Sequence, residues 1–199
     1  MYRKPQQPRA IATEQRFLYI LDVLLQKKSL AQLSIDEIAE HAHQTRGAFL
    51  KRFGSKKQSL FILWSRYCKR ASNEMAQITA LLPTFQSAKE ACIHMSTQLE
   101  TIQRLDFSAN RAMHEDFQEN LRIDPQTQKI FLECVELMRC TQRQFLPGTA
   151  ASDTGAFAAA QLLVTINYNH VLKAMPGLPA DPVVRHEMVG EIMALVLSR

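Results

Sequence analysis

Residues 33–60 read LSIDEIAEHAHQTRGAFLKRFGSKKQSL, and this stretch determines how the front of the chain is interpreted. Ser34 and Glu37 have the S-x-x-E spacing of a capping box, which predicts a helix that begins just after Ser34. Thr45 is a good N-cap for a second short helix, and Gly54 is the residue type that commonly ends one. The stretch therefore predicts two short helices around a tight turn, followed by the start of a third helix.

Both short helices are predicted to have one buried and one outward-facing side. The buried side of the first comprises Ile35, Ile38, Ala39 and Ala42. On the second, Phe49 and Phe53 are four residues apart, so one face can anchor the helix to its neighbours. The outward residues of this second helix are Arg46, Gly47, Ala48, Leu50, Lys51 and Arg52. A face that is small, polar and cationic suits a helix inserted into the major groove of DNA.

Apolar periodicity predicts helices along the rest of the chain as well. The predicted helices span 11–28, 34–42, 46–53, 56–82, 85–105, 107–120, 124–146, 153–175 and 183–197. Few breakers interrupt them, since the chain has six Gly and eight Pro. We therefore expect an all-α protein of about nine helices, with an N-terminal three-helix helix-turn-helix domain and a larger C-terminal helical domain.

Composition excludes several classes of protein. At 199 residues and 46% hydrophobic content, the chain can bury a core and form one or two domains. Its longest apolar runs fall short of the roughly 18 residues that span a bilayer. The N-terminal MYRKPQQPRA lacks the apolar region of a signal peptide. The four cysteines form no CxxC pair, so we expect free thiols in a cytoplasmic protein with no membrane partner.

Charge divides the chain near residue 70. Residues 1–70 hold 14 Lys and Arg against 5 Asp and Glu, a net charge of +9. Residues 71–199 hold 10 against 14, a net charge of −4. This imbalance indicates a polyanionic partner for the front alone, although a merely solvated basic face has the same composition.

The predicted domains follow this charge division. They are a flexible basic arm (1–9), a helix-turn-helix DNA-binding domain (10–70) and a C-terminal ligand-binding and dimerisation domain (71–199). The arm carries Arg3, Lys4 and Arg9, which can lie along DNA phosphates or in a minor groove. It is equally compatible with an ordinary loose terminus.

Residues 10–64 resemble the DNA-binding domain of the TetR-type (TetR/AcrR) transcriptional regulators of bacteria. The matching residues, in the order and spacing of the family, are Ser34, Ile38, Ala39, Ala42, Thr45, Gly47, Phe49, Phe53, Ser55, Lys56 and Leu60. The resemblance implies a homodimer that binds a (pseudo)palindromic double-stranded DNA operator. It further implies a repressor that leaves its operator when a small-molecule effector binds in the C-terminal domain.

The resemblance also implies which residues contact DNA. They are Ser34, Thr45, Arg46, Gly47, Ala48, Leu50, Lys51, Arg52, Ser55 and Lys56. Arg46 is the candidate for a guanine contact, because a guanidinium fork matches the O6 and N7 atoms of guanine. Thr45, Arg46 and Lys51 are expected to carry sequence choice, whereas Arg52 and Lys56 position phosphates. Any one of these cations can instead serve solubility alone.

Three positions depart from the family pattern. His43 stands where the family usually has glycine, and it is strained there if the position requires a positive φ. Gln44 replaces an apolar residue, so a less well packed turn is expected. Leu50 replaces a tyrosine, so a phosphate hydrogen bond is lost or gives way to an apolar contact such as one with a thymine methyl.

A dimer interface is predicted near the C-terminus, where the resemblance has faded. Small residues on one helix and an apolar stripe on the last suggest that two copies of each form a four-helix interface. The predicted interface residues are Ala156, Ala159, Ala160, Leu163, Val189, Ile192, Met193 and Val196. The alternative for these residues is ordinary intrachain core.

An effector pocket is predicted among the helices of the C-terminal domain. Its candidate residues are Trp64, Met95, Met113, Phe117, Cys134, Met138, Asn167 and His170. The methionines are adaptable fillers, the aromatic rings can form walls, and the Asn and His can supply polar anchors. Taken singly, each Met or Phe is more often plain core.

Other chemistry in this half of the chain is weaker. The histidines lack metal-ligand spacing, so neither a metal nor another cofactor is expected. Cys134 or Cys140 can act as an electrophile sensor only if its thiol pKa is lowered.

Two other functions remain as alternatives. Gln44 and Leu50 are the only support for a helical protein- or RNA-interaction module with a repurposed helix-turn-helix. An enzyme is not expected, because the sequence contains no Gly-rich phosphate loop, nucleophile elbow or metal-ligand cluster.

Overall fold

The fold is helical throughout the part of the chain that the computed structural model describes, namely residues 5–117, 119–120, 124–147, 153–173 and 177–198. The helices are α1 (Pro8–Leu25), α2 (Ile35–His41), α3 (Arg46–Phe53), α4 (Lys56–Leu81), α5 (Ala88–Leu105), α6 (Phe107–Asp116), α7 (Pro125–Phe145), α8 (Asp153–Lys173) and α9 (Pro182–Leu197), with a 3-10 turn at Leu82–Thr84. The all-α fold predicted from periodicity is therefore confirmed.

The start of the chain differs most from the predicted helix bounds. α1 begins at Pro8, whose fixed φ suits a first helical position, and ends at Leu25. Ser29 and Gln32 then form a small turn in which the side chain of each accepts the backbone N–H of the other, at 2.9 and 3.3 Å. Lys28 consequently lies beyond the helix end. Of the predicted basic arm, residues 1–4 lie outside the described residues and the rest leads directly into α1.

The chain forms two compact units. One comprises Met1–Tyr67 with Asp106–Ile123, and the other comprises Cys68–Leu105 with Asp124–Arg199. α6 therefore belongs to the N-terminal unit, although it follows α5 in sequence and the predicted division at residue 70 assigns it to the C-terminal domain. As functional domains, the predicted ranges stay a prediction.

Polar contacts at the end of α1 explain the placement of α6. The Ser108 hydroxyl donates to the carboxylate of Asp22, and the Arg111 guanidinium donates to the carbonyl of Leu25. Arg111 also reaches the carbonyl of Lys28 at 3.3 Å. The last carbonyls of a helix have no intrahelical partner, so a guanidinium that binds them caps α1 from outside.

The C-terminal unit packs α5, α7, α8, α9 and the second half of α4 around one apolar core. α9 packs closely against α5 at Gly190. A Cβ atom at this position would stand 2.4 Å from the Ile93 Cγ1 atom and 3.1 Å from the carbonyl oxygen of Lys89. The two backbones can approach this closely only because residue 190 has no side chain.

Candidate nucleic-acid interface

α2, the turn and α3 form a helix-turn-helix whose helix starts are capped. Ser34 Oγ accepts a backbone N–H of α2 at 3.0 Å, and Thr45 Oγ1 accepts one of α3 at 3.1 Å. Ser55 Oγ caps α4 in the same way at 3.1 Å. The caps predicted at Ser34 and Thr45 are therefore confirmed. Each hydroxyl accepts within its cap and keeps its own proton for another acceptor, such as a phosphate.

The turn after α2 is a Schellman motif with a histidine at its left-handed position. His43 has a φ of 51°, and its N–H donates to the carbonyl of Glu40 at 2.9 Å. The N–H of Gln44 donates to the carbonyl of Ala39 at 2.9 Å. These bonds satisfy the last carbonyls of α2 in the pattern that glycine usually supports. The histidine adopts this conformation at a cost of about 1–2 kcal/mol, because its Cβ crowds the following carbonyl.

Three phenylalanines fix α3 against α1. The Phe17 ring packs edge-on against Phe49 and Phe53, with centroids 5.3 and 5.9 Å apart. The Phe49 and Phe53 rings are 4.9 Å apart, and all three are buried. Such pairs add about 0.5–1.5 kcal/mol beyond their burial. The predicted anchoring face of α3 is confirmed, and the opposite face therefore points to solvent.

The solvent side of α3 holds the predicted DNA-contacting residues. Exposed there are Thr45, Arg46, Gly47, Leu50 and Lys51, with Ala48 and Arg52 half-buried. A Cβ atom at Gly47 would meet nothing closer than Thr45 Oγ1, at 3.9 Å. The fold itself does not require glycine at this position, so the bare backbone is left free for a partner that approaches closely.

Lys56 has a structural role that the sequence pattern does not reveal. Its ammonium donates to the carbonyl of Leu30 at 2.7 Å and also to the carbonyl of Leu33. These bonds tie the connection between α1 and α2 to the start of α4. An ammonium has three donors, so Lys56 keeps at most one for the phosphate that the sequence assigned to it.

Two ion pairs lie on the surface of the helix-turn-helix. Arg46 Nη1 is 2.6 Å from Asp36 Oδ2, and Lys28 Nζ is 2.6 Å from Glu37 Oε1. The hydrogen bond from Lys28 is the main reason why the pKa of Glu37 is lowered. Both acids lie in the first turn of α2, where the helix dipole also favours them. Neither pair is evident from sequence periodicity, although opposite charges on consecutive helices of a tight turn are a signal for such contacts.

The residues predicted to form an effector pocket divide between the two units. In the N-terminal unit lie Trp64, Met113 and Phe117; in the C-terminal unit lie Met95, Cys134, Met138, Asn167 and His170. Met95, Cys134 and Met138 are fully buried in the apolar core, which agrees with the alternative that these residues are plain core. The structure of either unit thus brings only some of the eight residues together.

Asn167 and His170 belong to a polar network centred on the buried Glu100. Arg185 Nη2 is 3.0 Å from each carboxylate oxygen of Glu100, and Arg104 Nε donates to Oε1 at 2.8 Å. His170 Nε2 lies 3.7 Å from Oε1. Asn167 Oδ1 accepts from the Ser96 hydroxyl at 3.4 Å.

A second histidine completes this network. His186 Nε2 lies 3.4 Å from the Glu100 carboxylate, and its Nδ1 atom is 2.8 Å from Ser96 Oγ. Burial lowers the pKa of His186 and of His170. Burial would raise the pKa of Glu100, but hydrogen bonds from Arg104 and Arg185 outweigh it and lower that pKa. The network therefore holds a carboxylate between two guanidinium groups and two imidazoles that resist protonation.

The Glu100 network opens onto a groove of about 430 Å³ between α5 and the start of α9. The groove is lined by Ile93, Thr97, Glu100, Thr101, Arg104, Pro182, Val183, His186 and Glu187. Its walls combine apolar side chains with hydroxyl, guanidinium and imidazole groups. A small amphipathic molecule fits this chemistry.

Cys134 and Cys140, the two candidate sensors, lack the lowered thiol pKa that reaction with an electrophile requires. Burial raises the pKa of Cys134 to about 12 and, together with the nearby Cys134, that of Cys92 to about 12. Burial, followed by the charge of Glu136, raises the pKa of Cys140. A reactive thiol needs a lowered pKa, so neither Cys134 nor Cys140 meets the condition. Among the described residues, no group of three His, Cys, Asp or Glu side chains is placed to hold a metal ion.

Most residues predicted at a dimer interface are core residues of the protomer itself. Those with 0% exposure are Ala156, Ala159, Ala160, Leu163, Val189 and Met193. Side chains without exposed area cannot contact a second chain, so the prediction is corrected for these six. Ile192 is exposed and Val196 half-buried. Phe157 of α8 and Leu195 of α9 are exposed by 51% and 58%.

Comparison with protein families gives a match in the N-terminal unit. Residues 22–61 match the family described as bacterial regulatory proteins, tetR family. A search of curated proteins finds no match. No helix within the described ranges is both long and apolar enough to cross a membrane.

Solved structures share the fold over nearly the whole chain. A protein classed as a TetR-family transcriptional regulator from Mesorhizobium loti aligns with a TM-score of 0.68 over 96% of this chain and 98% of that one, at 12% identity. A TetR/AcrR-family regulator from Thermobifida fusca aligns with 0.64 over 94% and 97%, at 19% identity. A TetR-family regulator from Bordetella parapertussis gives 0.61 over 94% and 95%, at 13% identity. At these identities the likeness establishes the fold, and the match over residues 22–61 shows that this segment is similar to the bacterial regulatory proteins of the tetR family.

Proposed function

We propose that this chain is a transcriptional repressor of the bacterial cytoplasm that binds a (pseudo)palindromic DNA operator as a homodimer and leaves it when a small-molecule effector binds. One observation carries the DNA-binding part. α3 buries its phenylalanine face, follows a capped and fully hydrogen-bonded turn, and exposes Arg46, Gly47 and Lys51. A short helix held in this way can enter a major groove without rearrangement.

The contacts on DNA follow from the exposed groups. Arg46 faces a guanine edge, while Lys51 and Arg52 bind nearby bases or phosphates. The hydroxyls of Thr45 and Ser55 donate to phosphate oxygens from the starts of α3 and α4, where unpaired N–H groups also favour an anion. The backbone at Gly47 allows α3 to lie close to the DNA.

The homodimer is supported by apolar side chains that remain exposed on α8 and α9. Val189, Met193 and Leu197 face the core of the protomer, whereas Ile192 and Leu195 of the same helix face solvent. A helix that is apolar on both sides normally has a second surface to pack against. Two copies of the chain would cover these side chains and supply the two α3 helices that a (pseudo)palindromic operator requires.

Effector release is supported by the groove beside Glu100 and by the course of the chain. α5 lines the groove and continues through Asp106 into α6. α6 is fastened to α1 by Ser108 and Arg111. A ligand that binds more tightly to one position of α5 can therefore affect the N-terminal unit through the continuous backbone from α5 to α6. The size of this effect is limited by the difference in the ligand's affinity for the DNA-binding and the released conformations.

Fluorescence anisotropy with promoter fragments tests DNA binding, beginning with the region that flanks the gene of this protein. We expect tight binding to one fragment and an affinity at least about 1000-fold weaker for a scrambled duplex at the same salt concentration. Arg46→Ala should weaken the specific complex by about 1–3 kcal/mol. Lys129→Ala, which removes an exposed cation of the C-terminal unit, serves as the control and should have no effect. Salt-labile binding without sequence preference contradicts the proposal and favours the interaction module.

Native mass spectrometry of the purified protein tests the remaining parts. We expect a dimer, and a small molecule that co-purifies with it. Leu195→Glu should yield monomers, because it places a charge within the apolar surface. A wild-type protein that is monomeric at micromolar concentration contradicts the dimer.

A further inference from the structure

We propose that Asp36 is a positioning residue that holds the guanidinium of Arg46 in the orientation that reads a guanine. This inference rests on the proposed DNA-binding function. It adds Asp36 as a residue that affects base recognition, and it names guanine as the base that is recognised. Asp36 lies in the first turn of α2, and Arg46 is the first residue of α3. The contact between them therefore crosses the helix-turn-helix.

The geometry leaves the reading edge of Arg46 open. Asp36 Oδ2 engages only Nη1, at 2.6 Å. The Nε and Nη2 atoms form the other edge of the guanidinium plane, and the described residues place no acceptor on this edge. Two parallel N–H groups on one edge are the arrangement that matches O6 and N7 of guanine. Asp36 thus restrains the guanidinium without using the donors that the base requires.

Arg46 has little else to orient it. Its side chain is 57% exposed, and it stands at the start of α3, where the unpaired N–H groups of the helix repel a cation. A long exposed side chain loses rotamer freedom when it docks. A carboxylate that fixes the guanidinium before binding removes part of this cost, and it does so for one orientation only.

Asp36 also has an opposite effect on binding to DNA of any sequence. Its side chain is 65% exposed beside Arg46, so in the proposed binding mode it would lie close to the phosphates. A fixed anion there weakens sequence-independent binding, which depends on the net positive charge of the surface. Positioning and repulsion together predict that removal of Asp36 raises affinity for random DNA and lowers discrimination. A residue with a purely structural role would not produce this combination.

The test compares four variants with the wild-type protein after a binding site has been selected from a randomised duplex library. Asp36→Asn removes the charge with little change of shape, and Asp36→Ala removes the acceptor as well. Arg46→Ala removes the guanidinium that is proposed to contact guanine. Glu40→Gln is the matched control, because Glu40 is an exposed acid on the same helix and is not paired with Arg46. Circular dichroism confirms that each variant is folded.

Each guanine of the selected site is then replaced by 7-deazaguanine, which lacks the N7 acceptor. For the wild-type protein, this replacement at one guanine in each half-site should lower the affinity for the site by about 5- to 100-fold. Arg46→Ala should bind the site equally well with and without the replacement. In the two Asp36 variants, the replacement should lower the affinity by about threefold at most. These two variants should also bind a scrambled duplex more tightly than the wild-type protein does. Glu40→Gln should bind the scrambled duplex more tightly and keep the full loss.

The outcomes separate the two levels of the proposal. If the Asp36 variants respond to 7-deazaguanine as Glu40→Gln does, Asp36 contributes only charge and the inference is overturned, while specific binding stands. If wild-type protein selects no motif from the library, the proposed function itself fails.

Discussion

One ion pair from each unit illustrates two opposite uses of such a contact. In the N-terminal unit, Asp36 and Arg46 are more than half exposed and meet through a single pair of atoms. In the C-terminal unit, Glu100 and Arg185 are 6% and 3% exposed, and Arg185 reaches both oxygens of its partner. The exposed pair leaves the second edge of the Arg46 guanidinium open to a further partner, whereas the buried pair is committed to the fold.

This difference follows from the cost of removing charges from water. A surface pair contributes about 0–1 kcal/mol to stability and loses little when a ligand displaces it. A buried charge left without its partner costs several kcal/mol. Groups that are available for binding and groups that maintain the fold are thus separated by burial, not by residue type.

The largest expected effect comes from breaking the buried pair. Glu100→Gln should lower the free energy of unfolding by about 3–5 kcal/mol, because it leaves the guanidinium of Arg185 uncompensated. Urea unfolding followed by circular dichroism measures this loss. Glu37→Gln is the matched change in the N-terminal unit; it removes the Lys28 ion pair, keeps the capping-box residue type and should cost about 0–1 kcal/mol. Equal losses for the two variants would contradict the comparison.

The next effect concerns Gly190, whose surroundings differ from those of Gly47. Gly190→Ala should destabilise the protein by about 1–3 kcal/mol, because the added Cβ meets Ile93 Cγ1 at 2.4 Å and the α5 backbone. Thermal unfolding measures the loss. Wild-type stability in this variant would show that α5 and α9 separate easily, contrary to the close packing.

Acid should weaken the C-terminal unit through its histidines. Burial lowers the pKa of His170 and His186, so the folded protein resists protons that the unfolded chain takes up near pH 6.5. Stability is therefore retained above about pH 6.5 and is lost as pH falls below that value toward the lower pKa values of the folded state. Thermal midpoints between pH 8 and 5.5 measure this loss. A double change to glutamine at His170 and His186 should flatten the curve, and an unchanged curve would locate the effect elsewhere.

The smallest effect on stability is expected at Gly47, where the same type of change has the opposite sign. Gly47→Ala places its Cβ in open space and should stabilise α3 by about 0.5–1 kcal/mol. On the proposed function it should nevertheless weaken operator binding, since the added methyl prevents close approach to DNA. Thermal unfolding and anisotropy on the same preparation measure both changes. Undiminished operator binding would remove Gly47 from the interface.

Local signals allowed much of the N-terminal unit to be predicted. Ser34, Thr45 and Gly54 mark helix ends through short-range hydrogen bonds and backbone conformation, which depend on neighbours within four residues. The spacing of Phe49 and Phe53 likewise assigns the buried face of α3. The resemblance to TetR-type regulators rests on the same local residues.

Contacts between distant residues were beyond such signals. The attachment of Lys56 to the carbonyls of Leu30 and Leu33 and the capping of α1 by Arg111 join segments 23 to 86 residues apart. Periodicity also could not tell whether the apolar sides of α8 and α9 face the core or a second chain, because both choices require the same residue types. Only packing showed that Ala156, Leu163 and Val189 are internal.

By itself, the sequence determined the helical class, the helix-turn-helix and the buried and exposed faces of α3, because each depends on side chains a few positions apart. The tertiary structure decided which charges are free. It joined Asp36 to Arg46, engaged Lys56 within the fold and buried Glu100 among two arginines and two histidines. These assignments depend on which surfaces lose their water when the helices pack, and the spacing of residues along one helix does not contain that information.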